Sequence, residues 1–227
     1  MSSLFTRHGI KAVLFDFDGT LAESVLDFSA MRRRAGEAIA SLTDISMRTD
    51  KPLMEALAEV CAFLDADTAS RVRERAMQAV VAVEVEAAAQ ARLFPYTLSV
   101  LTALREQRTA VAVITRNCSE AVFRVFPTLR NHVTCVLTRD DVAKVKPHPE
   151  HISAALSIVG CEPGQSLMVG DHPMDIEAGK RAGTLTAGVA SGETSRERLR
   201  EACPDWLAED VGELMYRLGV TPRLEKS

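Results

Sequence analysis

Four aspartates, a lysine and a threonine stand out by type and spacing. Asp16 and Asp18 lie two apart in KAVLFDFDGTL, so in an extended segment both carboxylates project to one side while Phe17 turns back toward the core. Asp171 and Asp175 lie four apart in VGDHPMDIEAGKRAG, across a strand-to-helix turn from which both can reach one hard cation or its waters. Carboxylates that converge on a cleft repel each other unless a proton or a cation separates them, and Mg2+ is the simplest cation for an all-oxygen set. Lys146, in KVKPHPE, precedes two prolines that hold the chain extended before a helix and so aim its ammonium group, a point charge useful beside carboxylates or phosphate. Thr115 ends AVAVIT just before a helix N-terminus, and a hydroxyl beside unpaired backbone N–H groups makes an anion cradle. Each residue also has a plainer role open to it. Asp18-Gly19 reads as a turn, Asp16 and Thr115 as helix caps, Asp175 as an acid in a first helical turn, and Lys146 as a surface lysine.

The elements that must position these residues follow from periodicity. Residues 12–15 are a continuous apolar run between Lys11 and a Gly-Thr turn, the pattern of a central strand in a parallel sheet covered on both faces. Such sheets bind ligands at the carboxyl ends of their strands, where Asp16 sits, and Gly19 lets the backbone turn sharply. Residues 22–92 then read as purely helical. Asp27 caps a helix to 42 with Phe28, Met31, Ala35, Ala38, Ile39 and Leu42 on one face; a second helix runs from 50 to 64, and a third from Asp67 or Thr68 to 92. From residue 93 strand and helix alternate, with helices over 94–106, 119–126, 149–159, 175–182, 195–202 and 211–218. Strands fall at 110–114, 133–137, 166–169 and 184–189. The expected architecture is an α/β domain, a Rossmann-like parallel sheet with helices on both faces (residues 1–21 and 93–227), interrupted by a helical insert at 22–92. No internal repeat is visible.

The chain has 227 residues, room for one large domain with an insert at roughly 150 residues per domain. A formal charge of −4 gives no electrostatic reason to expect nucleic acid or a membrane surface as partner, so an anionic ligand has to be met by local positive charge. Five widely spaced cysteines without a CxxC pair point to free thiols in a reducing compartment. No signal sequence is read at the N-terminus, and Glu84 and Glu86 interrupt the most apolar later segment, so a cytoplasmic protein is expected. His148 and His151 sit three apart but have no cysteine or third histidine nearby, which argues against a zinc pair. Arg116 and Asn117 follow Thr115, and the sequence leaves open whether either enters the site. The run Arg32-Arg33-Arg34 fits a solvated helix face better than a substrate contact.

DFDGT after a buried strand, Thr115 after the second, Lys146 in KPxP and the GDxxxD of Asp171 and Asp175 occur in the order of the haloacid dehalogenase superfamily motifs. The chain resembles that superfamily over nearly its whole length, and its phosphoglycolate-phosphatase-like members in particular. The resemblance implies a Mg2+-dependent phosphatase acting on a small phosphorylated metabolite, with Asp16 as nucleophile and Asp18 as acid/base. It also implies that Thr115 and Lys146 bind the transferring phosphoryl group. The metal is expected on Asp16, Asp171 and the backbone carbonyl of Asp18, with Asp175 acting through a metal-bound water or by holding Lys146. Residues 22–92 resemble a mobile helical cap domain. Two positions depart from the subgroup: Tyr96 follows Pro95 where glycine is frequent, and the second motif reads TRN where many members have TN. A phosphomutase would use the same residues with a different insert, whereas a dehalogenase usually lacks an acid at the position of Asp18. A phospho-accepting receiver module also uses Asp, Thr and Lys, but places its acidic pair first and has no long helical insert.

Overall fold

The computed structural model describes residues 8–23 and 26–220. Six parallel strands, β1 (Ala12–Phe15), β2 (Ala110–Ile114), β3 (Cys135–Leu137), β4 (Ser166–Gly170), β5 (Leu185–Val189) and β6 (Trp206–Ala208), form one sheet in the order β3-β2-β1-β4-β5-β6. The apolar runs are continuous because alternate residues serve opposite faces. Val13, Phe15, Val111, Val113, Leu167 and Val169 join one core with α4 (Thr97–Glu106), α5 (Ser119–Val125) and α9 (Val211–Leu218). Ala12, Leu14, Ala112, Ile114 and Met168 join a second core with α6 (Glu150–Val159) and α7 (Pro173–Ala182). A short helix, α8 (Arg196–Glu201), lies between β5 and β6 in sequence.

Register sets where chemistry is possible. Phe15 pairs with Val113 on one side and with Val169 on the other. Asp16, Thr115 and Asp171 therefore leave the three central strands together, at the carboxyl edge where parallel sheets bind ligands. This doubly covered parallel sheet is the one expected from the apolar runs.

The chain divides into two compact units, residues 8–23 with 91–220, and residues 26–90. The second consists of α1 (Phe28–Ala40), α2 (Leu53–Ala62) and α3 (Ala66–Ala88). Its core is a helical-period stripe of Met31, Ala35 and Ile39 against Leu57, Val60, Val72, Ala76, Val80 and Val83. Phe28 and Leu42, expected on that stripe, are exposed. The Arg32-Arg33-Arg34 run is not uniformly solvated: Arg32 donates to the carbonyls of Arg48 and Lys51, and both Arg34 nitrogens pair with Glu86 at 2.9 Å.

Several boundaries differ from the sequence expectation for local reasons. The third helix starts one or two residues earlier, because Asp65 accepts from Thr68 N–H at 3.0 Å and caps it. It ends at Ala88, since Arg92 and Leu93 are extended: Arg92 C=O accepts from Glu23 N–H, and Leu93 bridges Ala22. Phe94 stays with this ribbon by donating to Leu21 C=O, which delays α4 to Thr97. α7 begins at Pro173 rather than at Asp175. His172 Nδ1 accepts from Met174 N–H and Asp175 Oδ2 accepts from His172 N–H, a reciprocal cap that gives His172 the role its sequence context did not reveal. β6 was not expected at all. All five cysteines are free, and among the described residues no helix is long and apolar enough to cross a membrane. The signal-sequence reading falls partly on residues 1–7, which lie outside the described residues.

Candidate active site

At the end of β1 the two aspartates part company. Asp16 Oδ1 accepts from Lys146 Nζ at 2.7 Å. Lys146 is 1% exposed and makes a second ion pair at 2.7 Å with Asp175 Oδ1. Burial favours the neutral amine, but Asp16 and Asp175 outweigh it, so the Lys146 pKa lies above its ordinary value and the side chain is a fixed ammonium. Lys144, two residues earlier, is exposed.

Asp18 faces a different set. Thr115 Oγ1 donates to Asp18 Oδ2 at 3.4 Å, and Asn117 Nδ2 lies 3.3 Å from Oδ1 and 3.2 Å from Oδ2. Asn117 Oδ1 accepts from Cys118 N–H at 2.9 Å, which orients the amide so that its NH2 faces Asp18. Of the two residues the sequence left open, Asn117 therefore touches a candidate site residue. The Arg116 guanidinium lies against Met174 Sδ at 2.9 Å.

Asp171 completes the cluster. Oxygens of Asp16, Asp171 and Asp175 all lie within 4.8 Å of one another, close to the span of about 4 Å between opposite ligands of a small octahedral cation. Asp18's carboxylate is not part of that group. Asp171 is boxed in by glycines: a Cβ on Gly19, which has φ +78°, would meet Asp171 Oδ2 at 2.5 Å, and one on Gly192 would meet it at 1.8 Å. Burial raises the Asp171 pKa, reinforced by the charges of Asp16 and Asp175. Burial likewise raises that of Asp175, against the pull of Lys146. One ammonium facing three carboxylates in so dry a site leaves a charge deficit, and a hard donor set of this kind fits a divalent cation.

The two histidines considered as a metal pair do other work. His151 Nε2 lies 3.2 Å from Leu137 C=O, and burial, then Lys146, push its pKa down to about 4, so the ring is neutral and donates to that carbonyl. His148 Nδ1 accepts from Glu150 N–H.

Metal-free protein carrying Asp171→Asn is expected to be more stable than the wild type. The native pKa of Asp171 lies above the unfolded value. Its protonated form thus supports folding below about pH 4, and this support is lost as pH rises through the native pKa. The amide keeps the shape and never ionises, so the variant's advantage grows with pH, reaching about 1–2 kcal/mol or several degrees in Tm. Adding Mg2+ raises the wild-type Tm most at high pH and raises that of the variant less at the same concentration. Thermal melts in chelator and in Mg2+ across pH 6–9 check this; an unchanged or lower metal-free Tm would remove Asp171 from the charge deficit.

A model of the haloacid dehalogenase-like hydrolase family matches residues 13–189. Among curated proteins, Pyrophosphatase PpaX from Anoxybacillus flavithermus is 51% identical over 89 residues, 39% of this chain and 41% of that protein. Pyrophosphatase PpaX from Bacillus velezensis is 45% identical over 85 residues, 37% of this chain and 39% of that protein. The alignments thus span about two fifths of the length of these relatives. Among solved structures, CbbY from Rhodobacter sphaeroides in complex with phosphate superposes with a TM-score of 0.64 at 23% identity, covering 90% of this chain and 96% of that one. A predicted phosphoglycolate phosphatase from Haemophilus somnus superposes with a TM-score of 0.64 at 20% identity, covering 92% and 97%. At these identities the structural likeness is one of fold, whereas the family match takes in both ends of the acidic cluster; the chain belongs to the haloacid dehalogenase-like hydrolase family.

Proposed function

We propose that this protein is a Mg2+-dependent phosphatase that hydrolyses a small phosphorylated metabolite through an aspartyl-phosphate on Asp16. The observation that carries the proposal is the division of labour between two aspartates two residues apart. Asp16 is held by a buried ammonium within the acidic cluster, and Asp18 is held by a hydroxyl and an amide outside it. Different surroundings are what a nucleophile and a proton donor need in order to keep different protonation states.

In the first step an Asp16 carboxylate oxygen attacks phosphorus, the bond from phosphorus to the ester oxygen breaks, and Asp18 gives its proton to the leaving oxygen. In the second, anionic Asp18 takes a proton from water as the water oxygen attacks phosphorus. The bond from phosphorus to Asp16 then breaks, releasing orthophosphate and restoring both side chains. Lys146 and Thr115 donate to the phosphoryl oxygens as charge redistributes. Asp16, Asp171 and the backbone carbonyl of Asp18 would hold Mg2+, which when bound offsets the charge brought together by the carboxylates and a phosphate dianion. Asp175 holds Lys146 in place. Residues 22–92, in this proposal, are the cap domain that selects the substrate.

The test is a turnover screen over phosphorylated metabolites. Inorganic pyrophosphate is included because the similar PpaX proteins are named pyrophosphatases. Repeated turnover in Mg2+ that disappears after exhaustive chelation and returns on adding Mg2+ is expected. Full activity with no metal by elemental analysis, or one phosphorylation event without turnover, would overturn the proposal. A chimera carrying another family member's helical insert, run through the same screen, should change its preferred substrate and keep the metal requirement.

A further inference from the structure

The turn after Asp18 is held from outside at three consecutive carbonyls. Ser191 Oγ donates to Gly19 C=O at 2.7 Å, Tyr96 OH to Thr20 C=O at 3.1 Å, and Thr97 Oγ1 to Leu21 C=O at 2.6 Å. The turn's own N–H groups close internally: Gly19 donates to Ala22 C=O, and Leu21 and Ala22 both donate to Phe17 C=O. Residues 19 to 21 are buried, so these hydroxyls do what water does for an exposed turn.

The hydroxyls come from two distant places, the start of α4 and the loop after β5. That loop also carries Gly192, and it closes on Asp171 from one side while Gly19 closes from the other. Tyr96 is itself held. Its ring stacks on Phe94 with centroids 5.3 Å apart. Burial, the largest influence, raises the phenol's pKa, so it remains a donor.

The Asp18 side chain meets Thr115 and Asn117 at 3.2–3.4 Å, and the very next residue is anchored through its carbonyl by Ser191 at 2.7 Å. We infer that Ser191 and Tyr96 are positioning residues for the Asp18 carboxylate, acting through the Gly19 and Thr20 peptide groups to aim its proton at the leaving oxygen. This inference rests on the phosphatase reading above.

A misaimed acid matters in proportion to how much the leaving group needs a proton. The test therefore compares p-nitrophenyl phosphate with the best alkyl phosphate from the screen, reading first-turnover release by rapid quench in saturating Mg2+. Ser191→Ala and Tyr96→Phe should each slow alkyl ester cleavage about 10-fold, and together about 100-fold, with half-saturation unchanged. Aryl ester cleavage should fall less than about threefold, and Ser191→Thr should restore the alkyl rate. Tm is measured for every variant to confirm that the compared proteins are folded at the assay temperature. Equal losses on both esters, or a rise in half-saturation alone, would overturn the inference. Asp18→Asn in the same assay separates the two failures. If it slows the alkyl ester selectively and the hydroxyl variants do not, the positioning role falls and the phosphatase reading stands; if Asp18→Asn itself is unselective, both fall.

Discussion

Asp16→Asn is expected to fold and to lose phosphatase turnover on the order of 10⁴-fold or more, because the proposed nucleophile is gone. The amide keeps the size of the carboxylate, and its Oδ1 still accepts from Lys146, so packing around a site 13% exposed at Asp16 is preserved. Removing one of three crowded carboxylates also relieves repulsion. The complication is that Asp16 is proposed both to attack phosphorus and to bind the cation, and either loss lowers activity. A Mg2+ titration separates them. Asp171→Asn should need more Mg2+ and recover part of its rate at high concentration, whereas Asp16→Asn should stay inactive throughout. Acid quench with phosphorus-labelled substrate should find label on the wild type and none on the variant. A loss of only a few-fold, or label retained on the variant, would place the nucleophile elsewhere.

The central strands were readable because burial on both faces leaves no polar alternation. Residues 12–15, 110–114 and 166–170 are apolar runs that end where chemistry begins. β6 gave no such signal. Three residues, Trp206–Ala208, stand among acids and become a strand only by pairing with Ala187–Val189, a tertiary fact. Helix ends were misplaced where the sequence offered competing caps. Asp65 and Asp67 are equally good by type, and only the Thr68 N–H contact selects the first. Nor does the sequence show that Arg92 and Leu93 must stay extended, since that follows from their pairing with Glu23 and Ala22.

The candidate site residues were legible because Asp16, Thr115 and Asp171 follow strand ends, where backbone direction alone limits what a side chain can face, and Lys146 and Asp175 sit in motifs of the loop and helix turn that come after. The residues that hold them were not. Asn117 could be assigned to Asp18 only once the Cys118 N–H had fixed which end of its amide points inward. Ser191 lies 172 positions from Gly19, and nothing in ASGETS marks its hydroxyl as the one that takes that carbonyl. Gly192 is informative only in space, since the Asp171 carboxylate fills the volume a Cβ would need. Positioning residues of this kind make contacts through the backbone, which leave almost no constraint on sequence spacing.

Asp18→Asn tests whether two aspartates so close in sequence have split roles. The substitution preserves size and the backbone carbonyl proposed as a Mg2+ ligand, but it removes the proposed proton transfer from both half-reactions. General acid–base assistance is worth about 10² to 10⁴ in rate, or roughly 3 to 5 kcal/mol of barrier. An alkoxide leaving group bears that loss in full, so alkyl phosphates should be turned over about 10²–10⁴-fold more slowly with no trapped intermediate. p-Nitrophenolate departs with little help, so attack by Asp16 should survive while hydrolysis of the acyl phosphate, which needs Asp18 as base, becomes limiting. The variant should therefore release a burst of phenolate close to one equivalent per enzyme, then turn over slowly, with phosphate held on Asp16 and recoverable by acid quench. Asn117, whose NH2 donates to Asp18, would meet an amide instead and needs only a rotation of the new side chain to find its oxygen, so the fold should hold. Equal rate losses for aryl and alkyl esters, with no trapped phosphoenzyme, would refute the acid/base role, and halide release from a 2-haloacid by the wild type would favour dehalogenation over phosphoryl transfer.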